Sequence, residues 1–361
     1  MLELERLGFG QPQRKQCEEL EDQKLRPARV ASVAGDSVML MGLSEVDLGK
    51  ARRVTFSAGV ARQLTDLTVG DWLVCDLEDD VLRWAMRLER TSLFVRKGAG
   101  RASRPQPVAA NVDRVLIVTS VGADLSKRRL ERYLAAVWSA GATPVVVVNK
   151  TDQPHDRSLL EAELTEVTLG GEVRFVSARD DLTLDALTPD LVPGTTVAFV
   201  GSSGVGKSTL VNRLLGEEHA RTGEVREHDE TGKHTTTRRE LVLAPNGVLL
   251  IDTPGMRELG LWDAQEGLET AFADLSMLAR ECRFSDCSHS GEPGCAVLAA
   301  IERGELSEDR LDSHRQLTKE LAYNERRSDG RAQANQKRRW KSVHQSIRER
   351  DKLHERLGIK K

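Results

Sequence analysis

Nine consecutive residues constrain this chain more than anything else in it. Gly201-Ser202-Ser203-Gly204-Val205-Gly206-Lys207-Ser208-Thr209 follows an apolar run at 197–200 and opens a helical pattern at 210–215. A strand therefore passes through a glycine-rich turn into a helix N-terminus, the setting of a phosphate-binding loop. Glycines let backbone N–H groups turn onto phosphate oxygens at the positive end of the helix. Lys207 suits the β and γ phosphates and the Ser208 hydroxyl suits magnesium, so the loop implies a nucleoside triphosphate inside an α/β domain.

The base is read from a second motif. Asn149-Lys150-Thr151-Asp152 ends the apolar run at 144–148. A carboxylate at Asp152 accepts hydrogen bonds from the N1–H and exocyclic amine of guanine, a donor pair adenine lacks, while the Lys150 stem packs on the ring. Ser177-Ala178, just past the run at 173–176, is the expected companion loop whose backbone N–H meets the guanine O6. Asp252-Thr253-Pro254-Gly255 follows the run at 248–251, placing Asp252 for the magnesium shell and the Gly255 N–H near the γ-phosphate. Between them, Gly232-Lys233-His234-Thr235-Thr236-Thr237 lies where a switch threonine closes on the metal; the sequence does not choose among Thr235, Thr236 and Thr237. Many GTPases follow the DxxG glycine with a glutamine that orients water, but Met256 stands here, and a thioether cannot do that. Lys207 and His234 are the expected catalytic groups.

The order of these motifs is informative. The guanine-reading segments at 149 and 177 precede the phosphate-reading segments at 201, 235 and 252, the reverse of the common arrangement. The same sheet forms if the chain enters at a middle strand, so a circularly permuted domain is expected. Further on, Cys282-x4-Cys287-x-His289-x5-Cys295 supplies three thiolates and an imidazole, a closed tetrahedral set for a structural zinc. Five cysteines, two of them isolated at Cys17 and Cys75, do not read as a disulfide framework.

Around this centre the chain divides into six expected parts. Residues 1–26 read as a polar extension, mobile or only partly ordered. Residues 27–90 carry about five short β-rich stretches, enough for a small all-β barrel of OB or SH3-like type. Residues 91–108, with Arg96, Lys97, Arg101 and Arg104 among Gly and Pro, read as a basic linker. Residues 109–262 alternate strands and helices as the permuted domain, 263–325 form a helical zinc domain, and 326–361 form a basic tail. The tail holds 13 Lys/Arg against 4 Asp/Glu, a charge of +9, so the remainder is −12 although the whole is only −3. An acidic body with a basic end fits contact with a polyanion, and RNA is the expected partner. The longest apolar runs are too short to span a bilayer and the start lacks a secretory pattern, so a cytoplasmic protein is expected.

Taken together, a small barrel, NKTD ahead of GSSGVGKST, GKHTTT, DTPG and the Cys3His spacing resemble the RsgA (YjeQ) family of small ribosomal subunit biogenesis GTPases over residues 27–320. The resemblance implies an OB-fold, a permuted GTPase domain on magnesium and a zinc domain. It also implies a monomer whose GTPase activity is stimulated by the small (30S) subunit and its 16S rRNA late in maturation, with His234 as the catalytic group. Lys233, where the family often has arginine, is a modest departure. The alternatives are a nucleotide-gated RNA-binding scaffold in which hydrolysis only resets binding, and an ATP-using kinase, which the NKTD tetrapeptide opposes.

Overall fold

The segment expected to trail as a polar extension folds against the body. In the computed structural model, which describes residues 2–18, 20, 25–43, 49–97, 105–122, 125–216, 239–252 and 264–328, helices α1 (Leu2–Glu5) and α2 (Gln11–Glu18) flank Leu7 and Phe9, both buried. The Phe9 ring meets Trp72 edge-on at 5.0 Å. Two apolar residues among charged ones leave no period to read, yet burying them is worth about 1.5–3 kcal/mol each. Of the two readings left open for the extension, the described residues are ordered rather than mobile.

Strands β1 (Arg26–Ala34), β2 (Ser37–Met41), β3 (Arg52–Phe56), β4 (Trp72–Glu78) and β5 (Val81–Arg87) close a barrel in the order β1-β2-β3-β5-β4. Small and branched side chains, among them Ala28, Val30, Leu40, Val54, Leu73 and Ala85, fill its interior. β3 and β5 pair in parallel, Thr55 opposite Val81. That pairing needs a crossover, which helix α3 (Ala58–Gln63) supplies by burying Val60. A crossover of this kind makes the barrel an OB type rather than a simple meander.

The expected linker is also built. β6 (Leu93–Lys97) and β7 (Pro105–Ala110) form an antiparallel pair with Phe94 and Val108 buried. Gly and Pro weight the composition of this stretch toward a loop, but Pro105 and Pro107 lie on a two-stranded ribbon, where a missing N–H is tolerated at an edge. Arg101 and Arg104 lie outside the described residues.

Six strands then form one sheet in the order β10-β9-β8-β11-β13-β12. The chain enters at β8 (Arg114–Ser120), passes through α4 (Lys127–Ser139), β9 (Thr143–Asn149), α5 (Arg157–Thr168) and β10 (Val173–Phe175), and then α6 (Asp181–Leu184). It crosses to β11 (Thr196–Gly201), runs down α7 (Lys207–Leu215) and ends in β12 (Glu240–Leu243) and β13 (Leu249–Asp252). β8, β9, β10, β11 and β13 run parallel, and β12 is an antiparallel edge. The central strands are buried on both faces, which is why they read as unbroken Val/Ile/Leu runs. Entry at a middle strand is the circular permutation made visible.

Arg29 of β1 joins the parts. It is buried, donates to the carbonyl oxygen of Leu7, to that of Asn111 at 2.9 Å and to Thr196 Oγ1 at 2.7 Å, and so ties the N-terminal segment and barrel to the start of the central strand β11. Burial pulls its pKa down to about 10 against the opposing pull of Asp113 and Asp71, which leaves it charged at neutral pH.

The C-terminal part is helical: α8 (Gln265–Ala271), α9 (Ala273–Ala279), α10 (Ala296–Glu302) and α11 (Glu308–Ser328). α8 lies so close to α4 that a Cβ on Gly267 would fall 2.2 Å from the Ala135 carbonyl oxygen. α11 binds α4 through ion pairs: the buried Arg310 meets Glu131 at 2.9 Å, and the partly exposed Arg132 forks onto Glu320 at 2.8 and 3.0 Å. Among the described residues no helix is long and apolar enough to cross a membrane. The tail beyond 328 lies outside them.

Candidate active site and metal centre

Among the described residues, the base-reading and phosphate-reading motifs fall at or just beyond the C-terminal ends of sheet strands. β9 leads to Asn149, β10 to Ser177, β11 to Gly201, and β13 ends on Asp252. Consecutive connections leave the sheet in opposite directions between β8 and β11, the crevice where open α/β sheets bind ligands.

The glycines of the phosphate loop are forced by their surroundings. Gly201 has φ 140°, and a Cβ there would lie 2.1 Å from the Val118 carbonyl oxygen of the neighbouring strand. Gly206 has φ 95°, and a Cβ would lie 2.3 Å from Asn149 Nδ2. Val205 is buried beneath the loop while Ser203, Gly204, Ser208 and Thr209 are exposed at its mouth, with the last two on the first turn of α7. The Lys207 ammonium donates to the Ser202 carbonyl oxygen, which folds it back over the loop. One contact comes from outside every motif: Arg129 of α4 donates through Nη1 to Ser202 Oγ. No spacing in the sequence places an α4 arginine there, because only the packing of α4 over β8 and β9 does.

The base-reading loop is fastened to the phosphate loop. Asn149, 1% exposed, donates from Nδ2 to the Val205 carbonyl oxygen at 2.8 Å and accepts at Oδ1 from the Ala178 N–H at 3.0 Å. Lys150, at φ 62°, donates from Nζ to the Gly204 carbonyl oxygen at 2.7 Å. The Thr151 N–H donates to the Val176 carbonyl oxygen at 3.2 Å, joining the two base-side loops. Asp152 is exposed and accepts from Ser177 Oγ at 2.8 Å. That hydroxyl holds its carboxyl below the usual carboxylate range, so it is an acceptor at neutral pH, as two guanine donors require.

Asp252 closes β13, in register with Glu240 of β12. Gly255, Met256, His234 and the three threonines Thr235, Thr236 and Thr237 lie outside the described residues.

The second cluster joins the end of α9, the loop after it and the start of α10. Ligand atoms of Cys282, Cys287, His289 and Cys295 all lie within 4.8 Å of one another. The sulfurs of Cys282 and Cys295 are 4.0 Å apart, and His289 Nδ1 lies 3.6 and 3.4 Å from them. Zinc–sulfur and zinc–nitrogen bonds of ~2.3 and ~2.0 Å at tetrahedral angles need S···S near ~3.8 Å and S···N near ~3.5 Å. The donor set and its spacing therefore fit a tetrahedral zinc. All three cysteines are free thiols, and burial pushes His289 below its usual pKa, toward the neutral form a ligand needs. The loop is set by Glu292, which accepts from the Ser288 and Ser290 N–H groups at 2.9 and 2.7 Å, and by Arg315, which donates to the His289 carbonyl oxygen at 2.6 Å. Four protein ligands leave no open position, so a metal here is structural.

Comparison with known proteins agrees with this architecture. The family model for the RsgA GTPase matches residues 87–262. A model for ABC transporters matches residues 184–359, a span that contains the phosphate loop but not the base-reading Asn149–Asp152 segment. The chain is 46% identical over 282 residues, 78% of its own length and 76% of the relative's, to a protein of Methanosarcina acetivorans named small ribosomal subunit biogenesis GTPase RsgA. It is 40% identical over 339 residues, 91% and 92% of the two lengths, to a protein of that name from Opitutus terrae. Among solved structures, YjeQ from Thermotoga maritima superposes with a TM-score of 0.61 at 26% identity, covering 82% of this chain and 99% of the other. YloQ, described as a circularly permuted GTPase, superposes at 0.59 with 25% identity, covering 84% and 97%. With its permuted sheet, closed N-terminal barrel and Cys3His cluster, the chain belongs to the RsgA GTPase family.

Proposed function

We propose that this chain couples GTP hydrolysis to late maturation of the small ribosomal subunit, binding the subunit and its 16S rRNA in the GTP state and leaving after hydrolysis. The observation that carries the reading is the joining of a guanine-reading loop, a phosphate loop and a Cys3His module on one frame, in a chain 40% identical over 91% of its length to a small ribosomal subunit biogenesis GTPase.

Asp152, with Ala178 beside it, reads guanine, and Asn149 holds the base loop on the phosphate loop. The amides of 201–206 and the Lys207 ammonium neutralise the triphosphate as charge shifts toward the β–γ bridge. Ser208, Asp252 and one of Thr235, Thr236 and Thr237 would hold magnesium, which would offset negative charge on the triphosphate. His234 orients the attacking water in place of the glutamine that Met256 replaces. Zinc held by Cys282, Cys287, His289 and Cys295 fixes the shape of the helical module that, with the OB barrel, faces RNA.

The reading is tested by sedimenting the full-length protein with purified small and large subunits in the presence of GDP or a non-hydrolysable GTP analogue. Co-sedimentation with small subunits that strengthens with the analogue is expected; equal binding to both subunits in either nucleotide state contradicts it.

A further inference from the structure

The molecule offers a cation for the γ-phosphate that no motif announces. Met256 removes the usual hydrogen-bonding group beside that phosphate, yet two cations converge on one residue of the phosphate loop. Lys207 donates from Nζ to the Ser202 carbonyl oxygen, and Arg129 donates from Nη1 to Ser202 Oγ. The lysine is the group that reaches the β and γ phosphates, so its carbonyl partner marks the γ end of the loop. The arginine meets the same residue from the side of α4.

α4 is built to keep it there. On the side turned to the helical module, Glu131 receives Arg310 at 2.9 Å and Arg132 forks onto Glu320, while Gly267 lets α8 close on the helix backbone. Those contacts keep α4 from rolling or sliding past the loop. The half-buried Arg129 therefore starts from a fixed base beside the loop, and its guanidinium is planar, always charged and suited to gripping two phosphate oxygens at once.

We propose that Arg129 is a catalytic residue, a guanidinium supplied in cis from α4 that leaves Ser202 Oγ for the γ-phosphate as GTP binds and stabilises the charge developed during hydrolysis. In that step a water oxygen forms its bond to Pγ while the bond from Pγ to the β–γ bridging oxygen breaks. The electron pair of that bond stays on the β-phosphate of GDP, and the water's proton ends on the released inorganic phosphate. Arg129 exchanges no proton; it offsets negative charge on the bridging and γ oxygens, the role an arginine plays in other GTPases.

The test uses the full-length protein without partner, so its outcome is separate from ribosome dependence. Single-turnover hydrolysis at saturating GTP and magnesium is measured for wild type, Arg129→Ala, Arg129→Lys and Arg132→Ala, together with affinity for GDP and formation of the GDP–aluminium fluoride complex. Arg129→Ala should slow hydrolysis at least about tenfold and abolish the aluminium fluoride complex while GDP affinity holds within about threefold. Arg129→Lys, which keeps charge but not the fork, should recover part of the rate. Arg132→Ala, which loosens α4 without approaching phosphate, should hydrolyse within about twofold of wild type. Wild-type hydrolysis and aluminium fluoride binding in Arg129→Ala would overturn the proposal, as would equal losses in Arg129→Ala and Arg132→Ala, which would make Arg129 only a brace.

Discussion

Asn149 Nδ2 lies 2.8 Å from the carbonyl oxygen of Val205, so the residue that opens the base-reading loop also holds the middle of the phosphate loop. Its Oδ1 accepts from Ala178 at the same time, and one buried amide thus fixes three segments that approach from three strands. Gly206 has no room for a Cβ because this amide occupies the space. The two halves of the permuted sheet are thus fastened together through one buried side chain, with Lys150 bonding the Gly204 carbonyl oxygen beside it.

Removing that fastening should cost affinity for every guanine nucleotide. Asn149→Ala leaves the Val205 carbonyl and the Ala178 N–H without partners, about 1–3 kcal/mol for each buried group. Affinity for GDP and GTP alike is expected to fall by about 10- to 100-fold, read by titration with a fluorescent nucleotide. Asn149→Asp should fail as well, because a carboxylate cannot donate to Val205.

Base choice should follow the donor pattern at Asp152. Asp152→Asn presents a donor where guanine also presents its exocyclic amine, whereas xanthine presents a carbonyl there. The variant should hydrolyse XTP in preference to GTP, and retained preference for GTP in competition would remove Asp152 from the base-reading role.

The acid limb of nucleotide binding should respond to Ser177. The Ser177 hydroxyl depresses the Asp152 carboxyl, so binding that needs the ionised form is present above that lowered value and lost as pH falls through it. Ser177→Ala should move the loss to higher pH. GDP affinity measured down through the carboxylate range for both proteins checks this, and coincident acid limbs would speak against it.

Between α4 and α11, Arg310 and Glu131 form a pair whose side chains are 2% and 4% exposed. Arg310→Met strands Glu131 without its cation, which typically costs about 3–5 kcal/mol. Burial raises the Glu131 pKa, so the folded state holds that proton more tightly than the unfolded chain does. The stability it contributes is therefore present below its unfolded pKa and lost as pH rises through its folded value. Losing Arg310 raises that value further, so the defect should be largest near neutral pH and shrink in mild acid, as chemical denaturation at both conditions would show.

Chelation should separate the two sites. The purified protein is expected to hold one zinc per chain, and stripping it should lower the midpoint of thermal unfolding while leaving GDP affinity unchanged. Cys295→Ser should do the same and also weaken the start of α10, since Cys295 Sγ accepts from the Leu298 N–H at 3.5 Å. Full retention of stability without metal would show the cluster to be four packed side chains and nothing more.

What could be read without the structure was what is local. The phosphate loop carries strand, turn and helix within a few residues on either side of Gly201–Thr209, and the buried strands at 144–148 and 197–200 announce themselves as apolar runs. The barrel's strands were legible but its type was not, because parallel pairing of Thr55 with Val81 is a long-range fact. Leu7 and Phe9 gave no period, the β6–β7 pair was hidden by Pro and Gly, and the edge strand β12, four residues long, left no trace. Arg29 and Arg129 are ordinary arginines in sequence; only the packing of one strand and one helix makes the first a joint and brings the second to the phosphate loop.

Hydrolysis should answer to the small ribosomal subunit. GTP turnover by the purified full-length protein should be measured alone, with small subunits, with large subunits and with free RNA. Strong stimulation by small subunits only, lost in His234→Ala without loss of GTP affinity, is the predicted result. Turnover unchanged by small subunits, or raised equally by large subunits and bare RNA, would contradict it.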